Sequence, residues 1–195
     1  MPLGQHFTPT PAADWMVRAL LDGWTIPPEG ARALDPACGD GALLSALARA
    51  WPSPSPLSLL GVELDPLAAA AAQHNHPHAH ILQADALALA GAPPLHDDTA
   101  DLVLLNPPYI GEKGNKALFD AVAARSPRWR ARSVARMDLL YYFLHLGLDL
   151  LRPGGRMVAL TTAYWPSATS AHKLRQTRAV RCQPADEHGE VAQAV

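Results

Sequence analysis

Five short apolar runs, separated by stretches of helical periodicity, organise the chain. They predict strands near residues 31–36, 57–63, 79–84, 101–105 and 156–162. Between them the spacing predicts helices near 41–50, 66–74, 115–125, 136–151 and 167–176. An amino-terminal helix, capped by Thr10 or Asp14, is predicted through Leu21, with Trp15, Val17, Leu20 and Leu21 as an irregular apolar face. The proline-bearing segments 51–56 and 91–94 read as loops. Strands alternating with helices indicate an α/β fold, a parallel sheet with helices on both faces.

Such open sheets bind ligands outside the carboxyl ends of their strands, so the residues that close each run carry the information. The first run ends at Asp35 and enters Pro36-Ala37-Cys38-Gly39-Asp40-Gly41, a Gly-rich turn before a helix. Glycines there let the backbone approach a ligand, and a helix N-terminus favours anionic groups. Glu63 and Leu64 close the second run, about 20 residues on, the spacing at which an acid bonds ribose hydroxyls in dinucleotide folds. Asp85 and Ala86 close the third, and Asp85 is placed to accept from an adenine amine. Asn106-Pro107-Pro108-Tyr109 closes the fourth. The two prolines fix φ and remove two N–H donors, Asn106 adds a side-chain acceptor, and Tyr109 adds a flat face. Acceptors beside a stacking platform suit a planar group bearing an NH2, either an adenine amine or a glutamine amide. Each acid and glycine also has a plainer reading as a turn or cap residue. That reading is weakest for Asn106, because Pro-Pro-Tyr follows it.

In this order, the Gly-rich loop, Glu63, Asp85 and Asn106-Pro107-Pro108-Tyr109 resemble the S-adenosylmethionine-dependent amino-methyltransferases. The segment Gly4-Gln5-His6-Phe7-Thr8-Pro9 resembles the Gly-Gln-x-Phe-Thr-Pro segment of gamma-class adenine-specific DNA methyltransferases of restriction–modification type. Met137 to Arg156, Thr161 to Trp165 and His172 to Arg175 are similar to later segments of that class, so the resemblance covers about residues 4–176. It implies a Rossmann-like class I methyltransferase fold. It also implies that S-adenosylmethionine is held by Phe7, Thr8, Asp35, Ala37, Gly39, Gly41, Glu63, Leu64, Asp85 and Ala86. The activity implied is methyl transfer to the exocyclic amine of adenine in DNA. That nitrogen is a poor nucleophile because its lone pair is delocalised into the ring. The Asn106 side chain and the Pro107 carbonyl would accept its two protons, in a loop stiffened by Pro108, and aim the lone pair at the sulfonium methyl. Tyr109 would stack on a base flipped out of the duplex.

The chain has 195 residues, enough for one domain, and 49% hydrophobic content, enough for a core. Its net charge of −2 gives no overall basic signature for nucleic acid. Five arginines and Trp129 concentrate between Arg125 and Arg136, just past the Asn-Pro-Pro-Tyr loop. Lys113, Arg128, Trp129, Arg130 and Arg132 are therefore candidate DNA contacts, through guanidinium forks on phosphates and an indole on a base. The alternative, weighed equally, is a solvated loop with Trp129 tucked into the domain. His74, His76, His78 and His80 alternate, but the segment holds Pro77 and no cysteine, so a solvated loop is favoured over a zinc site and no metal is expected. Cys38 and Cys182 give no disulfide framework.

No run approaches the roughly 20 apolar residues of a membrane span, and residues 1–5 lack the features of a signal peptide. The expectation is a cytoplasmic protein whose partners are DNA and a separate recognition or completing chain, with no membrane. Residues 1–176 read as a partial S-adenosylmethionine-dependent methyltransferase domain and 177–195 as an atypical tail, with no target-recognition domain. The tail shows no clear strand alternation, so the sheet is expected to lack its last two strands and leave 156–162 at an edge. A short tail helix covering that edge is the alternative. Two further functional readings remain: a glutamine methyltransferase acting on a protein, and a non-catalytic cofactor-binding fragment. Phe7-Thr8-Pro9 and the arginines speak against the first.

Overall fold

The strand β4 (Ala100–Leu105) is buried along its whole length, as a Leu-Val-Leu-Leu run between two helical layers must be. Leu102 and Leu104 point into one layer, while Val103 and Leu105 point into the other. Its one acid, Asp101, is held by the Arg152 guanidinium and accepts from Arg32 N at 2.7 Å. The computed structural model describes residues 8–184 and 191–194.

Four strands run parallel to β4 in the same sheet. These are β1 (Ala31–Asp35), β2 (Leu57–Glu63), β3 (His80–Gln83) and β5 (Leu151–Ala159). One face is covered by α1 (Thr10–Leu21) and α2 (Ala42–Ala50), through Met16, Val17, Leu20, Leu43 and Leu47. Next to α2, α3 (Pro66–Asn75) packs Ala72 against Leu44 and Cys38. The other face is covered by α4 (Ala86–Leu89), α5 (Lys116–Arg125), α6 (Pro127–Arg132) and α7 (Leu139–Leu150). All twelve residues of α7 are buried. Two single 3-10 turns then lead into α8 (His172–Arg181), which starts later than its predicted residue 167. Among the described residues, no helix is long and apolar enough to cross a membrane.

Two expectations need correction. The sheet has seven strands, in the order β3-β2-β1-β4-β5-β7-β6. The last two, β6 (Cys182–Pro184) and β7 (Val191–Ala194), are present as an antiparallel pair, and β7 pairs with β5 through Met157↔Ala192. The edge expected at 156–162 is therefore covered by a strand. The tail hid this because β7 is four residues long and rich in alanine, which carries little strand preference. The second correction concerns the start of α1. Neither Thr10 nor Asp14 caps it; Pro9 occupies the cap position, and Asp14 instead meets Arg49 of α2 at 2.7 Å.

The segment read as an arginine-rich loop contains the helix α6. Ser126 caps it by accepting from Trp129 N, and Lys173 Nζ closes its other end by donating to the Ala131 and Ser133 carbonyls at 2.7 and 2.8 Å. Trp129 is only 1% exposed. Its indole N–H donates to the Leu87 carbonyl at 2.8 Å, and its ring meets Tyr142 edge-on with centroids 5.5 Å apart. Replacing Trp129 with Ala is expected to cost roughly 3–5 kcal/mol of stability in urea unfolding. The exposed neighbour Arg130→Ala should shift it by less than about 0.5 kcal/mol. Similar small losses from both would show that α6 is not docked.

Candidate active site

The carboxyl ends of β1, β2, β3 and β4 open onto one cavity of about 430 Å³. That size is in the range of small-molecule and cofactor sites. The topology puts it where the sheet order reverses, between β1 and β4. Thr8, Asp35, Ala37, Gly39, Glu63, Leu64, Asp85, Ala86, Asn106 and Pro108 line it. Gly41, Pro107 and Tyr109 lie outside the lining, and Phe7 lies outside the described residues.

The Gly-rich turn is held down on β2. Cys38 N donates to the Val62 carbonyl at 3.0 Å, and Gly39 N donates to Glu63 Oε2 at 2.9 Å. Gly61 permits this approach, because a Cβ there would stand 2.7 Å from Cys38 Sγ and 2.9 Å from Ile81. Gly41 ends the turn at φ +85 and caps α2, where a Cβ would meet His76 at 2.9 Å. His76 in turn meets Ser45 Oγ at 2.5 Å, so the histidine segment packs against α2. Among the described residues, no group of three or more His, Cys, Asp or Glu is arranged to hold a metal ion.

Each acid has a distinct electrostatic setting. Asp35 is 1% exposed. Its Oδ1 accepts from Ala37 N at 3.1 Å, while its buried Oδ2 has no hydrogen-bond partner. Desolvation raises its pKa to about 7, opposed by the Ala37 N–H and assisted by the nearby Glu63 carboxylate. Both Glu63 oxygens face backbone donors, Gly39 N and Asp65 N, the second at 2.8 Å. Asp85 caps α4 by accepting from Leu87 N at 3.0 Å and pairs with Arg125 of α5 at 2.7 Å.

Asn106 sits at the mouth, at the end of β4. Its Nδ2 donates to Thr8 Oγ1 at 2.9 Å. The Tyr109 hydroxyl faces Asn106 Oδ1 at 3.3 Å and the Leu160 carbonyl at 2.9 Å. Asp138 ties this loop to α7: one oxygen, Oδ1, accepts from Ile110 N at 3.2 Å and from Leu140 N at 3.0 Å as the helix cap.

Residues that sequence reasoning missed include Asp138, Arg125 and an apolar wall of Ile110, Leu118, Val122, Leu139 and Phe143. An Asp immediately before a twelve-residue apolar helix is a readable cap signal. The wall was not readable, because Leu118/Val122 and Leu139/Phe143 share the i, i+4 spacing of ordinary core positions.

Residues 60–183 match the Eco57I restriction-modification methylase family. The chain belongs to this family. It is 28% identical to the Type II methyltransferase M.BanIII of Aneurinibacillus aneurinilyticus, over 89% of this chain and 33% of that protein. It is 30% identical to the Type II methyltransferase M.TthHB8I of Thermus thermophilus, over 84% of this chain and 35% of that protein. The chain thus spans about a third of the length of these curated relatives. In shape it is similar to the type I restriction-modification system methyltransferase subunit from Streptococcus thermophilus, with a TM-score of 0.70 and 20% identity over 99% of this chain and 44% of that chain. The fold is the class I S-adenosylmethionine-dependent methyltransferase fold. The Eco57I family match takes in Glu63, Asp85 and Asn106 to Tyr109, whereas Thr8 and the Gly-rich loop precede it.

The basic segment within the family match is corrected by its surroundings. Trp129 cannot stack on a base, because it is buried under Tyr142. Arg128 and Arg132 are committed to carboxylates: Arg132 grips Asp149 at 2.5 and 2.8 Å, and Arg128 is paired with Asp97 and Asp149. Asp149 lies beside the start of β4, since Asp98 N donates to its carbonyl at 2.8 Å, so both arginines stand at the opposite end of the sheet from Asn106. Arg130 is exposed on the same helix. Lys113 is also exposed, and it follows the Asn106 loop directly.

The setting of Asp35 gives a signed pH effect. A carboxyl raised from 3.8 to about 7 contributes stability that is complete below 3.8 and lost as pH rises through 7. The ligand-empty Asp35→Asn variant should gain on the wild type across that window, by on the order of 4 kcal/mol above pH 8. Thermal melts of both proteins from pH 4 to 8 check this. The comparison cancels His145, which burial and the cations Arg132 and Lys173 push down to about 3, and which withdraws stability as pH falls below 6.5. A pH-independent difference would mean that Asp35 is hydrated.

Proposed function

We propose that this domain transfers the methyl group of S-adenosylmethionine to the exocyclic amine of adenine in DNA. The observation that carries the reading is Asn106: an amide at the end of β4, on the wall of the cavity that also holds Asp35, Glu63 and Asp85. The cavity fits the cofactor on its own chemistry. The partnerless, buried Oδ2 of Asp35 suits a cationic amine. The Glu63 carboxylate has acceptor capacity beyond its two backbone donors and suits ribose hydroxyls. The apolar wall from Ile110 to Phe143 suits the faces of a purine. When bound, the cofactor supplies an electrophilic methyl on sulfur.

The chain's own residues then orient the nucleophile. Asn106 Oδ1 and the Pro107 carbonyl accept the amine protons and stabilise the positive charge that develops on nitrogen. Pro108 keeps the loop rigid beside the cavity, and Tyr109 stacks on the flipped base. Ala37, Gly39, Leu64 and Ala86 shape the cofactor side of the cleft, Gly41 ends the turn that carries Gly39, and Lys113 supplies a cation for backbone phosphate. Residues 1–176 correspond in this reading to the catalytic domain, and β6 and β7 complete its sheet. Recognition of a DNA sequence would then lie in another domain or a partner chain, as the span of about a third of the curated relatives accommodates.

Asn106→Ala should lower methyl transfer to DNA by about 100-fold or more. Its S-adenosylmethionine affinity by calorimetry should stay within about threefold. Joint loss of both would make Asn106 a structural residue. A wild-type protein that labels a protein glutamine and leaves DNA unlabelled would replace the adenine reading.

A further inference from the structure

We infer that Arg125 is a positioning residue for the cofactor's purine. From outside the cavity it fixes the carboxylate of Asp85 as the acceptor for the exocyclic amine of the cofactor's adenine. This rests on the reading of Asp85 as an adenine acceptor, and it is independent of where the methyl group goes. Asp85 lies just past β3 and lines the cavity, whereas Arg125, the last residue of α5, lies outside the lining. The two meet at 2.7 Å, Arg125 Nη2 against Asp85 Oδ2.

An acceptor that serves one edge of a planar ligand must be held in one orientation. An aspartate alone turns about two side-chain bonds, and the torsion that sets its carboxylate plane is soft. Here both oxygens are engaged. Oδ1 accepts from Leu87 N at 3.0 Å, and Oδ2 faces the Arg125 guanidinium. With one oxygen tied to backbone and the other to α5, the carboxylate plane is set. Each oxygen of an ionised carboxylate accepts more than one hydrogen bond, so an orientated Asp85 still has capacity for an amine.

Support from outside is needed because the element Asp85 caps is small. The helix α4 has four residues, too few to persist without tertiary contacts. Trp129 of α6 holds it by donating to the Leu87 carbonyl at 2.8 Å, and Arg125 of α5 holds its cap. The same α5 gives Leu118 and Val122 to the apolar wall of the cavity. Val122 stands three residues before Arg125, so the two are neighbours on the helix surface. One helix thus brings an apolar surface for the face of the purine and a cation that sets the acceptor for its edge. Arg125 also has a plainer role, since a cation in a last turn complements the helix dipole. That role, and an ion pair whose side chains are 31% and 30% exposed, contribute little to stability, and neither distinguishes one purine from another.

The test measures binding of two ligands to the full chain by calorimetry. One is S-adenosylhomocysteine, the demethylated cofactor; the other is S-inosylhomocysteine, which differs from it only at that edge of the purine, with a carbonyl oxygen in place of the amine. Wild type should prefer the adenosyl ligand by about 10- to 100-fold, because a carboxylate facing that oxygen gains no donor. Arg125→Met should cut this preference by about fivefold or more, and Arg125→Lys, which keeps a cation, should hold it within about twofold of wild type. Melting temperatures of the ligand-free proteins should agree within about 4 °C. A preference unchanged in Arg125→Met, whether both affinities fall together or neither does, would overturn the assignment. So would a variant that no longer folds, a lysine that fails to restore the preference, or tighter binding of the adenosyl ligand in Arg125→Met, which would make Arg125 a competitor for Asp85. A wild type that binds both ligands equally would instead sink the reading of Asp85 on which the assignment rests.

Discussion

The arrangement of this domain depends on the burial of β4 between two helical layers. A strand apolar on both sides can only sit at the centre of a sheet, so the residue that follows it must emerge in the middle of the carboxyl edge. Asn106 is that residue. The neighbours follow from the same constraint. With β1 beside β4, Asp35 emerges next to Asn106, and with β2 beyond β1, Glu63 lies past Asp35. The cavity is thus a consequence of strand order, and the helices set its walls.

Within that frame the site holds groups that the fold would be more stable without. Asp35 is a buried carboxyl with one oxygen lacking any partner, and its desolvation is opposed by a single backbone N–H. A core position would not keep such a group. Under the proposed function, the cationic amine of the cofactor would offset this desolvation only when bound, which concentrates affinity on that ligand. Asn106, by contrast, is bonded from both ends of its amide. Its Nδ2 donates to Thr8 Oγ1 at 2.9 Å, and its Oδ1 meets the Tyr109 hydroxyl at 3.3 Å.

How far the sequence reveals this varies with the range of the interaction. Runs such as Leu102 to Leu105 and turns such as Gly39 to Gly41 are local, and they located the first four strands to within a residue or two. The Asn106, Glu63 and Asp85 positions were legible for the same reason, each closing a strand. The Thr8–Asn106 bond joins residues 98 apart and has no local signal. Arg125 with Asp85, and the wall from Leu118 to Phe143, are invisible for the same reason. At the far edge, β7 escaped because its partner, β5, supplies the hydrogen bonds that define it, while Val191-Ala192-Gln193-Ala194 has little strand character of its own. The start of β5 was missed because Pro153, Gly154 and Gly155 read as a turn, whereas the structure accommodates them as an irregularity between the Ala100 and Leu102 pairings.

The arginine segment shows how composition misleads when counterions are distant in sequence. Five arginines just past the Asn-Pro-Pro-Tyr loop look like a surface for phosphate. Three of them are instead consumed within the domain, Arg125 by Asp85, Arg128 by Asp97 and Asp149, and Arg132 by Asp149. Arg132 also lies over the Trp129 ring, 5.4 Å from its centroid, so the cluster stitches α6 to α7. This removes one argument that had favoured DNA over a protein glutamine as the substrate. The preference for DNA rests instead on the Eco57I family match, which covers the Asn-Pro-Pro-Tyr loop itself. These internal pairings take Arg125, Arg128 and Arg132 out of any phosphate-binding surface. Under the proposed function, positive charge for a polyanion would come from exposed residues such as Lys113, which follows the Asn106 loop directly.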